Sequence, residues 1–299
     1  MASIKQAFVL GAGLGTRLRP LTDDLPKPLV PIFQKPLITF GLDHLIDIGI
    51  GKFLINTHRL PQAFGEAFPQ DNYAGVNLKF VNEPVLLETG GGIKNLEADL
   101  GREPFITYSG DVLTDIRLQP LIDEHFNRGN DVTLALRKTG LGSAIAFRQN
   151  RVVDISNRYG IPGQYDFANI AVWSPSVFGR IPPKEKISFI PILGDWISQG
   201  GKIGGVVLEQ GNWFIRSPGT CGSVLTLIRA DGSSSLIASS KSMIASAHLG
   251  ADGCADLLDL ELTGGQAISA WAFRHESADP NVEDAGLVGV VQSQTFGRP

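Results

Sequence analysis

The most informative part of this chain is the stretch at residues 10–31, which reads LGAGLGTRLRPLTDDLPKPLVP. An apolar run at residues 7–10 leads into it and predicts a short buried strand. Gly11, Gly13 and Gly15 follow. Glycine has no Cβ, so the backbone can turn sharply there and bring its N–H groups close to a ligand. Because clustered N–H groups form an anion-binding concavity, the pattern predicts a strand followed by an anion-binding loop.

Three cations follow the glycines, at Arg17, Arg19 and Lys27. Lys27 lies between Pro26 and Pro28, whose rings fix φ and stiffen the neighbouring chain. A lysine on a rigid segment loses less conformational entropy when it meets a phosphate. A strand, a glycine loop and trailing cations therefore suit the phosphates of a nucleotide, although a structural turn with a solvated lysine is the alternative.

The loop differs from two better-known glycine-rich loops. It is not a P-loop, because no Gly-Lys-Ser/Thr follows at the required spacing. It approaches the dinucleotide fingerprint G-x-G-x-x-G, but Thr16 stands where that motif needs glycine or alanine. A Rossmann-type oxidoreductase is therefore the weakest of the functional alternatives.

Residues 11–31 resemble the signature of the sugar-1-phosphate nucleotidyltransferases, in which a G-x-G-T-R loop precedes a P-K-P-L segment. The resemblance covers roughly residues 5–214 and extends to four later segments in the same order, at 82–84 (NEP), 88–92 (ETGGG), 109–111 (SGD) and 167–172 (FANIAV). These motifs are most similar to those of the branch that acts on N-acetylmuramate-1-phosphate with UTP, or on mannose- and heptose-type phosphates with GTP.

The resemblance implies that an oxygen of a sugar-1-phosphate attacks the α-phosphorus of an NTP and that pyrophosphate leaves. It implies that Arg17 holds the pyrophosphate, that Lys27 contacts the α-phosphate and that Asp111 binds Mg²⁺. Sugar contacts are implied for Glu88 and Asn169. The implied nucleotide-binding residues are Leu10, Gly11, Ala12, Gly13, Gly15, Thr16, Glu83, Thr89 and Gly90. The structural alternatives are a surface cation for Arg17, a turn residue for Asp111 and a glycine-rich helix N-terminus after Glu88.

One departure from the family pattern concerns the metal. Relatives end the catalytic core with W-x-D-x-G-T, whereas residues 213–220 read WFIRSPGT, so Ile215 replaces the second metal-binding aspartate and Arg216 adds a positive charge. Either the enzyme is divergent or weakened, or the coding frame is disturbed after Phe214. A non-catalytic subunit that binds nucleotide sugars for regulation is the alternative function.

Alternating strand and helix patterns predict an α/β fold: a Rossmann-like, mostly parallel mixed sheet with helices on both faces. We expect a nucleotidyltransferase domain at 1–214, with a nucleotide half at about 1–138 and a small β-rich sugar-binding half at about 139–214. Residues 215–299 are expected to form an irregular C-terminal tail, read as a degenerate β-helix or a frame-disturbed segment. The predicted strands are 6–10, 53–55, 76–81, 105–108, 132–136, 144–147, 151–155, 166–173 and 203–208. The predicted helices are 36–50, 61–68, 90–100, 118–128 and 187–199.

Composition narrows the function classes. The 299 residues carry a formal net charge of −4, which disfavours broad nucleic-acid binding. Two cysteines, Cys221 and Cys254, indicate a reducing cytoplasm rather than a disulfide framework. We expect no signal peptide and no membrane partner, because no apolar stretch reaches the ~18–20 residues of a membrane span. A homo-oligomer remains open.

Overall fold

A computed structural model describes residues 2–16, 22–32, 35–138 and 144–208, together with the backbone of six short strands between residues 214 and 292. The strands up to residue 208 are β1 (Gln6–Leu10), β2 (Pro31–Ile32), β3 (Lys35–Pro36), β4 (Lys52–Thr57), β5 (Asn72–Tyr73), β6 (Val76–Asn82), β7 (Phe105–Ser109), β8 (Leu113–Thr114), β9 (Val132–Arg137), β10 (Ile145–Arg148), β11 (Arg151–Ile155), β12 (Asp166–Trp173) and β13 (Ile203–Val207).

Helices occupy the connections between these strands. The α-helices are α1 (Leu37–Asp47), α2 (Gln62–Ala67), α3 (Glu88–Asn95), α4 (Glu97–Leu100), α5 (Gln119–Arg128) and α6 (Phe189–Ser198), and 3-10 turns cover Lys27–Leu29, Pro69–Asp71 and Pro175–Arg180. The sequence predictions up to residue 208 are confirmed in type and order. The predicted helix at 90–100 differs, because it begins at Glu88 and is interrupted at Leu96, where φ is −96° and ψ is 6°.

A ten-stranded mixed sheet forms the centre of the molecule, in the order β10-β11-β13-β9-β12-β7-β1-β4-β6-β5. Strands β7, β1, β4 and β6 run parallel to one another, while β12 is antiparallel to both of its neighbours, β7 and β9. The chain passes from β1 outward to β4 and β6 and then returns to β7 on the other side of β1. The strand order thus reverses between β1 and β7, and such a reversal opens a crevice at the carboxyl ends of the strands.

Apolar side chains alternate along the central strands and supply a core on each face of the sheet. In β1, Ala7 and Val9 belong to the core that packs against α1, whereas Phe8 points into the opposite core. The second core contains a ring cluster in which Trp173 lies 6.4 Å from Phe105 and 5.4 Å from Phe189. Burial on both faces explains why the central strands read as continuous apolar runs, and it confirms the predicted helices on both faces.

Strands from both the predicted nucleotide half and the predicted sugar-binding half lie in this one sheet, while β2 and β3 form a separate pair and β8 lies in another sheet. Beyond residue 208 the described strands are β14 (Phe214–Arg216), β15 (Thr226–Ile228), β16 (Ser234–Leu236), β17 (Asp256–Leu262), β18 (Gln266–Phe273) and β19 (Leu287–Gln292). Strand β14 pairs with β8, and β17, β18 and β19 form a separate antiparallel sheet. The domain division and the nature of residues 215–299 stay predictions. In the described part of the chain, helices are too short or too polar to cross a membrane.

Candidate functional site

The glycine loop leaves the carboxyl end of β1 and presses against the end of β4. The Gly11 N–H donates a hydrogen bond to Asn56 Oδ1 at 2.8 Å, and the Ala12 N–H reaches the same oxygen at 3.3 Å. A Cβ on Gly11 would lie 2.7 Å from the backbone oxygen of Asn56, which is closer than real Cβ contacts come. The close approach of the two backbones therefore requires glycine at this position.

The far side of the loop turns back on itself. Gly15 has a φ of +67°, in the left-handed region that favours glycine, and the Thr22 hydroxyl donates to the Gly15 carbonyl at 2.7 Å. Gly13 and Thr16 are exposed on this turn. Arg17, the predicted pyrophosphate ligand, lies outside the described residues, so its role stays a prediction.

Lys27 and Asp111 meet at the reversal point of the sheet. The Lys27 ammonium lies 2.5 Å from Asp111 Oδ2, and the Ser109 hydroxyl donates to Asp111 Oδ1 at 2.6 Å. The Gly110 N–H donates to the Leu10 carbonyl at 2.9 Å, which ties the loop after β7 to the end of β1. These contacts place the two loops on one edge of the sheet, where the carboxyl ends of the parallel strands β1 and β7 meet.

A cleft of about 380 Å³ opens in front of this ion pair. Its walls contain seven of the fourteen residues that the sequence predicts for the site, and they also contain Asn56 and Ser109, which the prediction left out. The lining residues are Leu10, Ala12, Gly13, Lys27, Pro28, Asn56, Leu86, Glu88, Thr89, Ser109, Asp111 and Ser188.

Glu83, which the sequence predicts to contact the base, lies beneath the cleft rather than on its wall. Its side chain is 1% exposed, and both carboxylate oxygens accept hydrogen bonds from the protein: Oε1 from the Asn56 side-chain amide at 2.8 Å and Oε2 from the Leu87 N–H at 3.0 Å. Both oxygens of this carboxylate are thus occupied by the protein itself, and the contact of Glu83 with the base stays a prediction.

Gly90, whose contact with the nucleotide stays a prediction, packs against the segment that leads into α6. The Gly90 N–H donates to the Ile187 carbonyl at 2.8 Å, and a Cβ on Gly90 would lie 2.9 Å from that same oxygen. Thr89 lines the cleft, and its hydroxyl accepts a hydrogen bond from the Phe189 N–H at 3.2 Å. Close helix packing therefore accounts for the glycine, while Thr89 remains a wall residue.

The two predicted sugar-binding residues share an uncommon backbone conformation. Glu88 has a φ of +62° and Asn169 a φ of +59°. Glu88 begins α3 on the cleft wall, with Lys186 3.8 Å from its carboxylate. Asn169 sits where the pairing of β12 with β9 shifts register between Phe167 and Ala171. Left-handed non-glycine residues and strand bulges both concentrate at functional sites, where they redirect side chains.

The metal-binding capacity of the cleft depends on a single predicted ligand. Within the described ranges, no group of three or more His, Cys, Asp or Glu residues could hold a metal ion. Asp111 nevertheless faces the cleft, and Mg²⁺ is commonly held by one or two carboxylates plus substrate phosphates. Strand β14 pairs Ile215 with Leu113, so the segment expected to carry a second aspartate does run beside the Asp111 loop.

The sequence profile of the nucleotidyl transferase family matches residues 6–146. Over 187 residues the chain is 33% identical to mannose-1-phosphate guanylyltransferase of Mycobacterium tuberculosis, covering 61% of this chain and 52% of that protein. Over 112 residues it is 43% identical to N-acetylmuramate alpha-1-phosphate uridylyltransferase of Neisseria meningitidis, covering 37% and 48%. The chain spans about half the length of these curated relatives.

Solved structures show the same fold. A putative glucose-1-phosphate thymidylyltransferase from Bacillus anthracis superposes with a TM-score of 0.62 at 17% identity, covering 71% of this chain and 89% of that one. A UDP-glucose pyrophosphorylase bound to UDP-glucose superposes with a TM-score of 0.59 at 20% identity, covering 70% and 91%. Residues 6–146 of this chain thus match the nucleotidyl transferase family model, and the two curated relatives are a guanylyltransferase and a uridylyltransferase of sugar-1-phosphates.

Proposed function

We propose that this protein transfers a nucleotidyl group from an NTP to a sugar-1-phosphate, forming an NDP-sugar and releasing pyrophosphate. The observation that carries the proposal is the Lys27–Asp111 pair at the reversal point of the sheet, on the wall that also holds the glycine loop. A cation, a carboxylate and a glycine-rich turn on one cleft wall suit a polyanion with a bound metal. The match of residues 6–146 to the nucleotidyl transferase family model supports the same reaction class.

Catalysis of this reaction needs positioning and charge neutralisation rather than a covalent nucleophile. The ammonium of Lys27 would neutralise the α-phosphate as a fifth oxygen bonds to phosphorus, and Arg17 would bind the departing pyrophosphate. The burial of Lys27, which is 9% exposed, keeps the ammonium in a place where its charge is poorly screened by water. Backbone N–H groups of the glycine loop, at Gly13 and Gly15, would contact the triphosphate.

The residues fit a divalent metal, and we propose Mg²⁺. Asp111 would hold the ion together with phosphate oxygens of the nucleotide, and the Ser109 hydroxyl would orient the carboxylate through its 2.6 Å hydrogen bond. When bound, the ion would offset negative charge on the phosphates. Because Lys27 contacts the same carboxylate, the nucleotide that brings the metal also offers Lys27 a new partner.

The sugar-1-phosphate would occupy the part of the cleft near α3 and β12. The left-handed conformations of Glu88 and Asn169 support a functional reading of these positions, since such strain persists where it positions a side chain. The named activities of the two curated relatives support GTP or UTP as the donor. We further propose a cytoplasmic location, which rests on the low number of cysteines, two in the whole chain.

A substrate matrix tests the proposal. The full chain is incubated with Mg²⁺, each of four NTPs and a panel of sugar-1-phosphates that includes mannose, glucose and N-acetylmuramate phosphates, and pyrophosphate release is measured. We expect turnover for one base with a small group of sugars. Absence of pyrophosphate release from every combination, with nucleotide binding intact, would reject the enzymatic proposal.

A nucleotide-sugar-binding regulatory subunit is the second candidate, and one observation favours it. Ile215 stands in the backbone register beside Leu113, at the place where relatives carry the second metal-binding aspartate. Ile215→Asp separates the two candidates. For a weakened enzyme, the substitution should lower the Mg²⁺ concentration needed for half-maximal activity; a regulatory subunit should bind nucleotide but stay inactive with the substitution.

A further inference from the structure

A buried amide–carboxylate pair, Asn56 and Glu83, lies between two segments that line the cleft, the glycine loop and residues 86–89. Asn56, at the end of β4, is 3% exposed, and Glu83, just after β6, is 1% exposed. Asn56 Oδ1 accepts hydrogen bonds from the N–H groups of Gly11 and Ala12, at the start of the glycine loop. Glu83 Oε2 accepts from the Leu87 N–H, at the start of the segment that carries Glu88 and Thr89. The pair therefore connects the glycine loop to the 86–89 segment through a chain of hydrogen bonds.

The donor and acceptor roles within this pair are fixed by its neighbours. The Asn56 oxygen faces two backbone donors, so its amide nitrogen must be the atom that donates to Glu83 Oε1 at 2.8 Å. Glu83 must then accept at both oxygens, from Asn56 and from Leu87. Gly92 packs close against the pair, because a Cβ at that position would lie 3.2 Å from both Asn56 Nδ2 and Glu83 Oε1.

We propose that Asn56 and Glu83 are positioning residues that hold the glycine loop and the 86–89 segment in register for a nucleotide that contacts both. The inference rests on the proposed function for the identity of the ligand. The residues act indirectly: Asn56 occupies the N–H groups of Gly11 and Ala12, which leaves the turn beyond Ala12 to face the phosphates. Glu83 fixes Leu87 and thereby the wall residues that follow it.

Swapping the amide and the carboxylate between positions 56 and 83 tests these donor and acceptor roles. In Asn56→Asp, an aspartate oxygen would face Glu83 Oε1, so two acceptors of like charge would meet. In Glu83→Gln, the new amide would direct a donor at either the Asn56 amide or the Leu87 N–H. Each single variant thus creates a clash of like groups in a buried place, and such unsatisfied buried groups are costly.

The double variant Asn56→Asp/Glu83→Gln restores every bond. An aspartate at 56 accepts from Gly11 and Ala12 with one oxygen and from the new amide at 83 with the other, and the amide oxygen at 83 accepts from Leu87. Gln6→Glu is the matched control. Gln6 is also a buried amide, which donates to the carbonyls of Leu100 and Glu103, but it starts β1 at the opposite edge of the sheet.

Two measurements follow the pair. The first is the dissociation constant for GTP and UTP, measured by titration calorimetry. We expect each single variant to weaken binding about ten-fold or more, and the double variant to bind within about three-fold of the original chain. Gln6→Glu should lose thermal stability without losing affinity. The second is hydrogen exchange at the Gly11 and Ala12 amides. Exchange should accelerate in both single variants and return to its original rate in the double variant.

The outcomes separate this inference from the proposed function. Additive losses in the double variant, or unchanged exchange at Gly11 and Ala12 in the single variants, would overturn the positioning role. If the double variant restores slow exchange at the Gly11 and Ala12 amides but the original chain binds no nucleotide, the hydrogen-bonded link between the two segments stands. The same result would reject the proposal that the link serves nucleotide binding. Neither measurement requires turnover of a sugar-1-phosphate.

Discussion

The ammonium of Lys27 lies 2.5 Å from the carboxylate of Asp111, although 84 residues separate them along the chain. Lys27 stands on a 3-10 turn after Pro26, while Asp111 follows β7, and the reversal of strand order between β1 and β7 brings both to one cleft. When a phosphate binds Lys27 and a metal ion binds Asp111, these two contacts would replace the ion pair between the side chains. The ion pair thus keeps both groups in place before a ligand arrives.

Replacing Lys27 should abolish most turnover. We expect Lys27→Ala to lower kcat by at least ~100-fold, the usual scale for removing one electrostatic contact to developing charge. Lys35→Ala is the matched control, because Lys35 also pairs with an aspartate, Asp43 at 2.8 Å, but on an exposed surface. Steady-state pyrophosphate release measures both variants, and near-original kcat in Lys27→Ala would reject the assigned role.

Replacing Asp111 should change the response to metal. Asp111→Asn keeps the size of the side chain but removes its charge, so we expect kcat to fall at least ~100-fold and the Mg²⁺ requirement to rise. Activity measured across a Mg²⁺ titration, after chelation with EDTA, reports both effects. Asp43→Asn supplies the control at the exposed pair. An unchanged Mg²⁺ dependence in Asp111→Asn would show that Asp111 does not hold the metal ion.

A single methyl group on Gly11 should disturb the loop. In Gly11→Ala the new Cβ would lie 2.7 Å from the Asn56 backbone oxygen and 3.2 Å from Ile55 Cγ2, so the backbones must separate. We expect a loss of about 1–3 kcal/mol in the free energy of unfolding and weaker nucleotide binding. Gly65→Ala should have the opposite sign, because Gly65 lies exposed in α2 with nothing within 4 Å of the added Cβ, and alanine favours helix. Equal effects of the two substitutions on urea unfolding would contradict the close approach.

Acid should weaken the fold through His125. The imidazole is 2% exposed and lies 3.1 Å from the hydroxyls of both Thr133 and Ser174, and burial lowers its pKa to about 4. Because the unfolded chain takes up a proton near pH 6.5 and the folded chain does so only near pH 4, stability is retained above pH 6.5 and falls as the pH drops below it. Between pH 7 and pH 5 we expect a loss on the order of 2 kcal/mol from this group.

The variant His125→Gln checks this linkage. It should lower stability at pH 7, since the buried contacts change, yet show a smaller decline in the free energy of unfolding between pH 7 and pH 5. Urea denaturation at the two pH values gives both quantities. An identical decline in the variant and the original chain would assign the acid sensitivity to other groups.

The sequence was sufficient for the order of strands and helices up to residue 208 because the apolar periodicity is strong and local. Through the family resemblance it also implied that Lys27, Asp111 and the glycine loop contact one nucleotide, and the structure places all three at one cleft. It could not show that Glu83 is buried with both oxygens occupied, nor that Gly90 packs against Ile187. Those facts depend on contacts between distant segments, which no local pattern records. Asn56 stood at a predicted strand end, and that position was the one signal of its role.

The most direct test of the central claim is a crystal structure of the chain with Mg²⁺ and a non-hydrolysable NTP analogue. We predict the triphosphate on the glycine loop, the Lys27 ammonium within about 3.2 Å of an α-phosphate oxygen, and Asp111 turned from Lys27 to the metal. A triphosphate bound away from this cleft, with the Lys27–Asp111 contact still closed, would contradict the account.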